Sequence, residues 1–122
     1  MSDPFQQLQK AVNEFARERD WDQFHSPKNL AMALTVEAGE LQECFQWLTE
    51  EQSKALDERQ MAAVAQEIAD VQLYLIQLAG KLGIDIESAC RAKISRNAEK
   101  YPADLVRSSA EKYTRYADES QL

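Results

Sequence analysis

The chain has 122 residues, with 14 Lys plus Arg against 21 Asp plus Glu, a formal net charge of −7 and 44 % apolar residues. This is the size of one domain and a globular composition, and an acidic total excludes a surface built to grip nucleic acid electrostatically. Three Gly and three Pro are too few turn formers for a sandwich or barrel of many short strands.

No apolar run approaches the roughly 18 residues that cross a bilayer, and the start MSDPFQQLQK lacks the apolar core of a signal peptide. Cys44 and Cys90, the two cysteines, make neither a disulfide framework nor a four-thiolate zinc site. The expectation is a reduced cytoplasmic protein with no membrane and no nucleic-acid partner. Residues 1–90 carry 7 basic and 16 acidic side chains, and residues 91–122 carry 7 and 5. An acidic body with a basic end is either plain solvation or a site where acids hold a metal and bases hold phosphates.

Hydrophobic spacing predicts four helices. The first spans about 3–19, with Ser2 or Asp3 as N-cap, Pro4 in the first turn and Phe5, Leu8, Val12 and Phe15 on one stripe. A loop with Trp21, Phe24 and His25 follows. Ser26-Pro27 opens the second helix, which is expected to run to about 49 with Leu30, Leu34, Leu41, Phe45 and Leu48 on its apolar face. After a polar connection, the third spans about 57–82, carrying Met61, Val64, Ile68, Val71, Leu75 and Leu78, and Gly83 ends it. The fourth spans about 85–100, capped by Asp85 and stopped by Pro102. Residues 103–122 read as a polar tail.

Short connections favour antiparallel neighbours, so the expected fold is all-α, a four-helix bundle over residues 1–102. Four helices in about 100 residues make a thin core. Phe45 and Trp47 extend beyond a single stripe, so burying them calls for a second copy, a homodimer or a dimer-of-dimers tetramer.

Several carboxylates fall where apolar side chains belong. On a wheel at about 100° per residue, Glu37 lands inside the leucine arc of the second helix, and Glu40 lies about 60° away beside Trp47. On the third helix Glu67 borders the apolar arc next to Tyr74, with Asp70 further round. A buried, unpaired carboxylate costs several kcal/mol, so a proton, a base or a metal must neutralise it. Two acidic pairs at i, i+3 on neighbouring helices converge four hard oxygen ligands, which suits Mg²⁺ or Mn²⁺. The competing reading is four ordinary solvated surface acids. A di-iron site normally wants Glu-x-x-His motifs, and the one histidine, His25, sits in a loop.

The fourth helix carries the complementary anomaly, with Lys93 and Asn97 on the same face as Ile86, Cys90 and Tyr101. Either Lys93 snorkels, or it and the amide face a phosphate or sugar. Trp21, Phe24 and Trp47 are candidates for base stacking, with ordinary packing the alternative. His25 reads as a loop residue with a local hydrogen bond, and both cysteines read as small buried hydrophobes.

The run Glu37-Ala-Gly-Glu40-Leu-Gln-Glu43, followed by Glu67-Ile-Ala-Asp70, resembles the paired acidic motif of the MazG-like all-α nucleoside triphosphate pyrophosphohydrolases. Arg19 to His25, Phe45-Gln46-Trp47, Asp70-Val71 with Tyr74-Leu75, and Tyr101-Pro102 through Lys112-Tyr113-Thr114 are similar to the dCTP pyrophosphatase branch over roughly residues 5–115. The resemblance implies Mg²⁺-dependent hydrolysis of a (deoxy)nucleoside triphosphate, dCTP or a modified dCTP, to the monophosphate and pyrophosphate by a dimer or tetramer. It implies Glu37, Glu40, Glu67 and Asp70 as metal ligands, Trp21 and Trp47 at the base, Tyr74 and Asn97 on the nucleotide and Lys93 on phosphate.

With no histidine in place, a carboxylate is expected to act as base toward water, Glu40 or Glu37. The sequence departs from the vertebrate members at Val12, where they carry a histidine that reaches the base. Two other readings stand beside this one: a non-catalytic helical dimerisation module, and the same chemistry on dUTP or an oxidised purine nucleotide.

Overall fold

The computed structural model describes residues 3–107, all helix, turn and loop with no strand among them. Helix α1 (Pro4–Glu18) begins where the Asp3 carboxylate accepts the Gln6 amide at 2.8 Å and Pro4 fills the first turn. A 3₁₀ turn (Asp22–Phe24) leads to α2 (Pro27–Glu43), capped by Ser26. Helix α3 (Glu50–Ser53) is a single turn, and α4 (Glu58–Leu82) is the longest element. Helices α5 (Ile86–Lys100) and α6 (Ala103–Val106) follow. No described helix is long and apolar enough to cross a membrane.

Four long helices stand where spacing put them, and two short ones are added. The expected second helix is six residues too long. After Glu43 the amides of Cys44 and Phe45 bond back to the carbonyls of Leu41 and Gln42, three residues earlier, which tightens and ends the helix. Thr49 then takes extended backbone angles to cap α3, its hydroxyl accepting the Gln52 amide while the Gln52 side chain accepts the Thr49 amide. Phe45, Trp47 and Leu48 therefore lie on a turn. The 49–57 connection contains α3, and α6 lies inside the segment read as a tail. Residues 108–122 of that tail lie outside the described residues.

Two capping devices fix the ends of α4. Asp57 and Gln60 form a reciprocal capping box at its start, and Gly83 takes φ 67°, the left-handed conformation that closes its end. The chain divides into two compact units, Met1–Ile84 and Asp85–Leu122. Within the first, α4 packs along both α2 and α1. Gly80 lets the Gln9 side chain of α1 lie against α4, because that side chain occupies the space a Cβ would need.

The core is small, as chain length requires: Ala16 of α1, Leu30 of α2, and Val64, Ile76 and Ala79 of α4. It is also rotated from the stripe that spacing suggests. Met61, Ile68 and Leu75, read as inward, are 57 %, 53 % and 39 % exposed. A helix flanked by two neighbours buries two narrower faces in place of one broad one, so an averaged wheel points between them. Leu8 and Phe15 of α1 and Phe24 of the 3₁₀ turn are likewise exposed. The second unit is the helix pair α5 and α6, with Asp85 capping α5 through the Ser88 amide at 2.9 Å. Cys90, expected to be buried, is exposed, and Cys44 is half-buried.

Because so few side chains carry the core, Ile76→Ala should cost about 2–5 kcal/mol of stability. Ile68→Ala in the same helix should cost clearly less in dilute, monomeric protein. Paired urea titrations check this; equal losses would mean that the exposed stripe is buried at the concentration used.

Candidate active site

Helices α2 and α4 carry the acids. The Ser26 cap and Pro27 start α2 so that Glu37 falls, after three turns, on the side facing α4, and the Asp57 capping box sets the phase of Glu67 and Asp70. One carboxylate oxygen each from Glu37, Glu67 and Asp70 lies within 4.8 Å of the other two. Glu37 and Glu67 are half-buried and Asp70 is exposed. Glu37 Oε2 and Glu67 Oε2 are buried without a hydrogen-bond partner, a costly state for a polar atom that needs a compensating ligand.

Loss of hydration is the largest cause lifting the Glu37 carboxyl from its usual value of 4.5 to about 7, followed by its hydrogen bond to Glu40 and repulsion by Glu40, Asp70 and Glu67. Glu67 is raised for the same first reason, followed by repulsion from Glu40 and Asp70. Glu40, exposed on α2, thus adjoins both inner acids. Such a set of hard oxygens, short of partners and mutually repelling, fits a divalent cation.

Beside the acids lies a cavity of about 400 Å³, and Asp70 belongs to both. Leu8, Ala11, Val12 and Phe15 of α1 form one wall, Trp21 and His25 the end, and Leu73, Tyr74 and Gln77 of α4 complete the lining. The Trp21 ring meets Phe15 edge-on with centroids 5.7 Å apart at 70°. The Arg19 guanidinium lies over the Phe15 ring, 3.7 Å from its centroid, and donates to the Phe15 carbonyl at 3.0 Å. These contacts hold the aromatic wall in place, and a planar, partly polar molecule suits the space. Lys81 of α4 pairs with Asp22 at 2.7 Å and holds its carboxyl below the usual value. This ion pair ties the 3₁₀ turn, and with it Trp21, to α4.

Of the residues the sequence singled out, the fold gathers Glu37, Glu67 and Asp70 with Glu40 adjoining, and sets Trp21 and Tyr74 in the adjacent cavity. Trp47 is not among the cavity's lining residues. It lies beyond the end of α2 and is 87 % exposed, so its expected place beside Glu40 on a continuous helix does not hold. Lys93 and Asn97 are exposed on one face of α5, in the second unit.

Sequence reasoning gave no role to His25, Phe15 or Gln77, all of which line the cavity. The amide of His25 does make the local bond expected of it, to the Asp22 carbonyl at 3.1 Å. Gln77 could have been noticed as a polar residue inside the run Leu73 to Ala79.

A helical frame with two acidic pairs and a neighbouring aromatic cavity defines a known class. The model of the MazG-like family matches residues 32–115, and the chain belongs to that family, as the acidic motif implied. It is 47 % identical over 103 residues to dCTP pyrophosphatase 1 of Homo sapiens, covering 83 % of this chain and 61 % of that protein. Identity to dCTP pyrophosphatase 1 of Bos taurus is 46 % over the same length and coverage. The chain therefore spans about three fifths of the length of the curated relatives it matches. The crystal structure of a pyrophosphatase from Archaeoglobus fulgidus DSM 4304 superposes with a TM-score of 0.77 at 35 % identity, covering 84 % of this chain and 95 % of that one.

The raised carboxyls give stability a definite pH dependence. Between about 4.5 and 7 the folded chain binds more protons at Glu37 than the unfolded chain does, so stability falls as pH rises through that window and levels off above it. Glu67 acts in the same direction. In EDTA the melting temperature should therefore decline from pH 5 to pH 8, and Glu37→Gln should flatten much of the decline. A profile that rises over this range would contradict the assignment.

Proposed function

We propose that the chain is a divalent-metal-dependent nucleoside triphosphate pyrophosphohydrolase, acting on dCTP or a modified dCTP and releasing the monophosphate and pyrophosphate. The observation that carries it is the juxtaposition of partnerless carboxylate oxygens on Glu37 and Glu67 with an aromatic cavity sharing Asp70. The names of the human, bovine and archaeal relatives support the reaction and the first two support the base.

In this reading Glu37, Glu40, Glu67 and Asp70 hold Mg²⁺ or Mn²⁺. When bound, such an ion offsets the charge of the polyphosphate and acidifies a bound water. The base lies against Trp21 and Tyr74, while Lys93 and Asn97 serve the phosphate and the nucleotide, as the family resemblance implies. Water attacks the α-phosphorus, its oxygen forms the new P–O bond, and the bond to the bridging oxygen breaks so that pyrophosphate departs with both electrons. A carboxylate, Glu40 or Glu37, accepts the water's proton.

Assembly into a homodimer or tetramer belongs to the same proposal. Met61, Ile68, Leu75 and Leu82 recur every seven residues along α4 and are all exposed, as are Met32 and Val36 of α2 and the turn residue Trp47. Exposed large apolar side chains in this number are what an obligate interface covers. Light scattering coupled to gel filtration should give a multiple of 13.9 kDa; a monomer at micromolar concentration would refute the assembly.

For the chemistry, pyrophosphate release from dCTP with Mg²⁺, abolished by EDTA, separates this reading from a non-catalytic helical module. Glu40→Gln and Asp70→Asn should each lower kcat by at least about 100-fold while helical circular dichroism is retained. Full turnover in either variant would sink the site. Ranking dCTP, dUTP and oxidised purine triphosphates by kcat/KM decides the substrate.

A further inference from the structure

Among the described residues Gln77 is the one polar side chain that is buried, at 9 % exposure. It lines the aromatic cavity together with Tyr74, and also the smaller cavity lined by Arg17, Asp22 and Lys81. A buried primary amide is costly unless its donors and acceptor are used. Gln77 makes a single hydrogen bond among the described residues, its Nε2 donating to the Leu73 carbonyl one turn back at 3.3 Å.

That bond fixes which way the amide points. A carbonyl only accepts, so the flipped amide would set oxygen against oxygen. The side chain therefore has one N–H spent on Leu73, and a second N–H and Oε1 remain for a ligand. An adjacent donor and acceptor in fixed order match a base edge that offers an amino group next to a ring nitrogen, the pairing that amide side chains make with such edges.

The position fits as well. Gln77 stands two turns beyond Asp70 on α4, about 10 Å along the axis at 1.5 Å per residue. With the polyphosphate at the acids, a nucleoside lying in the cavity reaches toward Gln77 with its base. Tyr74, between the two in sequence, lines the same wall.

We propose that Gln77 is a specificity-determining residue: its oriented amide reads the cytosine edge, Oε1 accepting from the 4-amino group and Nε2 donating to N3. Uracil presents acceptor and donor in the reverse order, so an amide oriented by Leu73 meets it donor against donor and must give up that bond to turn. A site with a buried polar group rejects a ligand that leaves the group unpaired more strongly than an apolar pocket rejects a misfit. This inference rests on the proposed reaction and adds the residue that chooses the base.

The test uses the full chain, with Gln77→Met, close in volume and without the amide, and Gln77→Asn, whose shorter amide falls short of the base. The quantity read is the ratio of kcat/KM for dCTP over dUTP. Wild type should favour dCTP by at least about tenfold, and both variants should bring the ratio to within about threefold of unity. Binding of dCMP and dUMP by calorimetry, without turnover, should show the same collapse and serves if one variant folds poorly. An unchanged ratio in the variants overturns the role of Gln77 while leaving the reaction intact, and a wild type that takes dUTP equally well overturns it too. A wild type that releases no pyrophosphate from either nucleotide, yet binds dCMP over dUMP through Gln77, refutes the reaction and keeps the base reading. If it neither turns over nor binds, both fall.

Discussion

Three carboxylate oxygens held within 4.8 Å of one another are the constraint around which the first unit is arranged. Left to themselves they repel, and Glu37 and Glu67 each carry a buried oxygen with no hydrogen-bond partner. The helices tolerate this because α2 and α4 are locked by caps at their starts and by contact along their lengths, so the acids cannot simply rotate away. The cost appears as carboxyls that hold their protons to unusually high pH. A structure that keeps such repulsion with so small a core has a use for it, and a divalent cation with a polyphosphate answers both the charge and the orphaned oxygens.

The same frame builds the cavity next to the acids. Helix α4 supplies one wall to each, so Asp70 and Gln77, on one helix, stand at the acidic site and in the cavity lining two turns apart. The opposite wall comes from α1, whose Gln9 side chain lies against Gly80, and from Trp21, tied down through the Lys81–Asp22 ion pair. An ion pair this exposed contributes little to global stability. Its consequence is local, since it fixes a 3₁₀ turn whose flanking residues, Trp21 and His25, close the cavity.

Much of this was legible in the chain. Proline and cap residues at 3–4, 26–27 and 85 mark where three of the four long helices begin, and Gly83 and Pro102 mark where two of them end, because these signals act within a few residues. The acidic pairs were legible for a similar reason: spacing of three puts both members on one helix face wherever that helix goes. The end of α2 was misjudged even though Thr49 and Gln52 carry a capping box, because the apolar spacing through Leu48 continued past the real stop. His25 was passed over since a lone loop histidine breaks no pattern, and Gln77 because attention went to the charged residues although it interrupts the apolar run Leu73 to Ala79.

Sequence alone therefore settled the helical class, the starts of the long helices and the identity of the crowded acids, all consequences of local geometry within a turn or two. Tertiary structure decided which faces of α4 are covered, that Met61, Ile68 and Leu75 stay exposed, and that Trp21, His25 and Gln77 line one cavity. Those outcomes depend on which neighbours pack on each side of a helix. Contacts between different helices, distant from one another in the chain, set them, and no spacing rule within one helix contains that information.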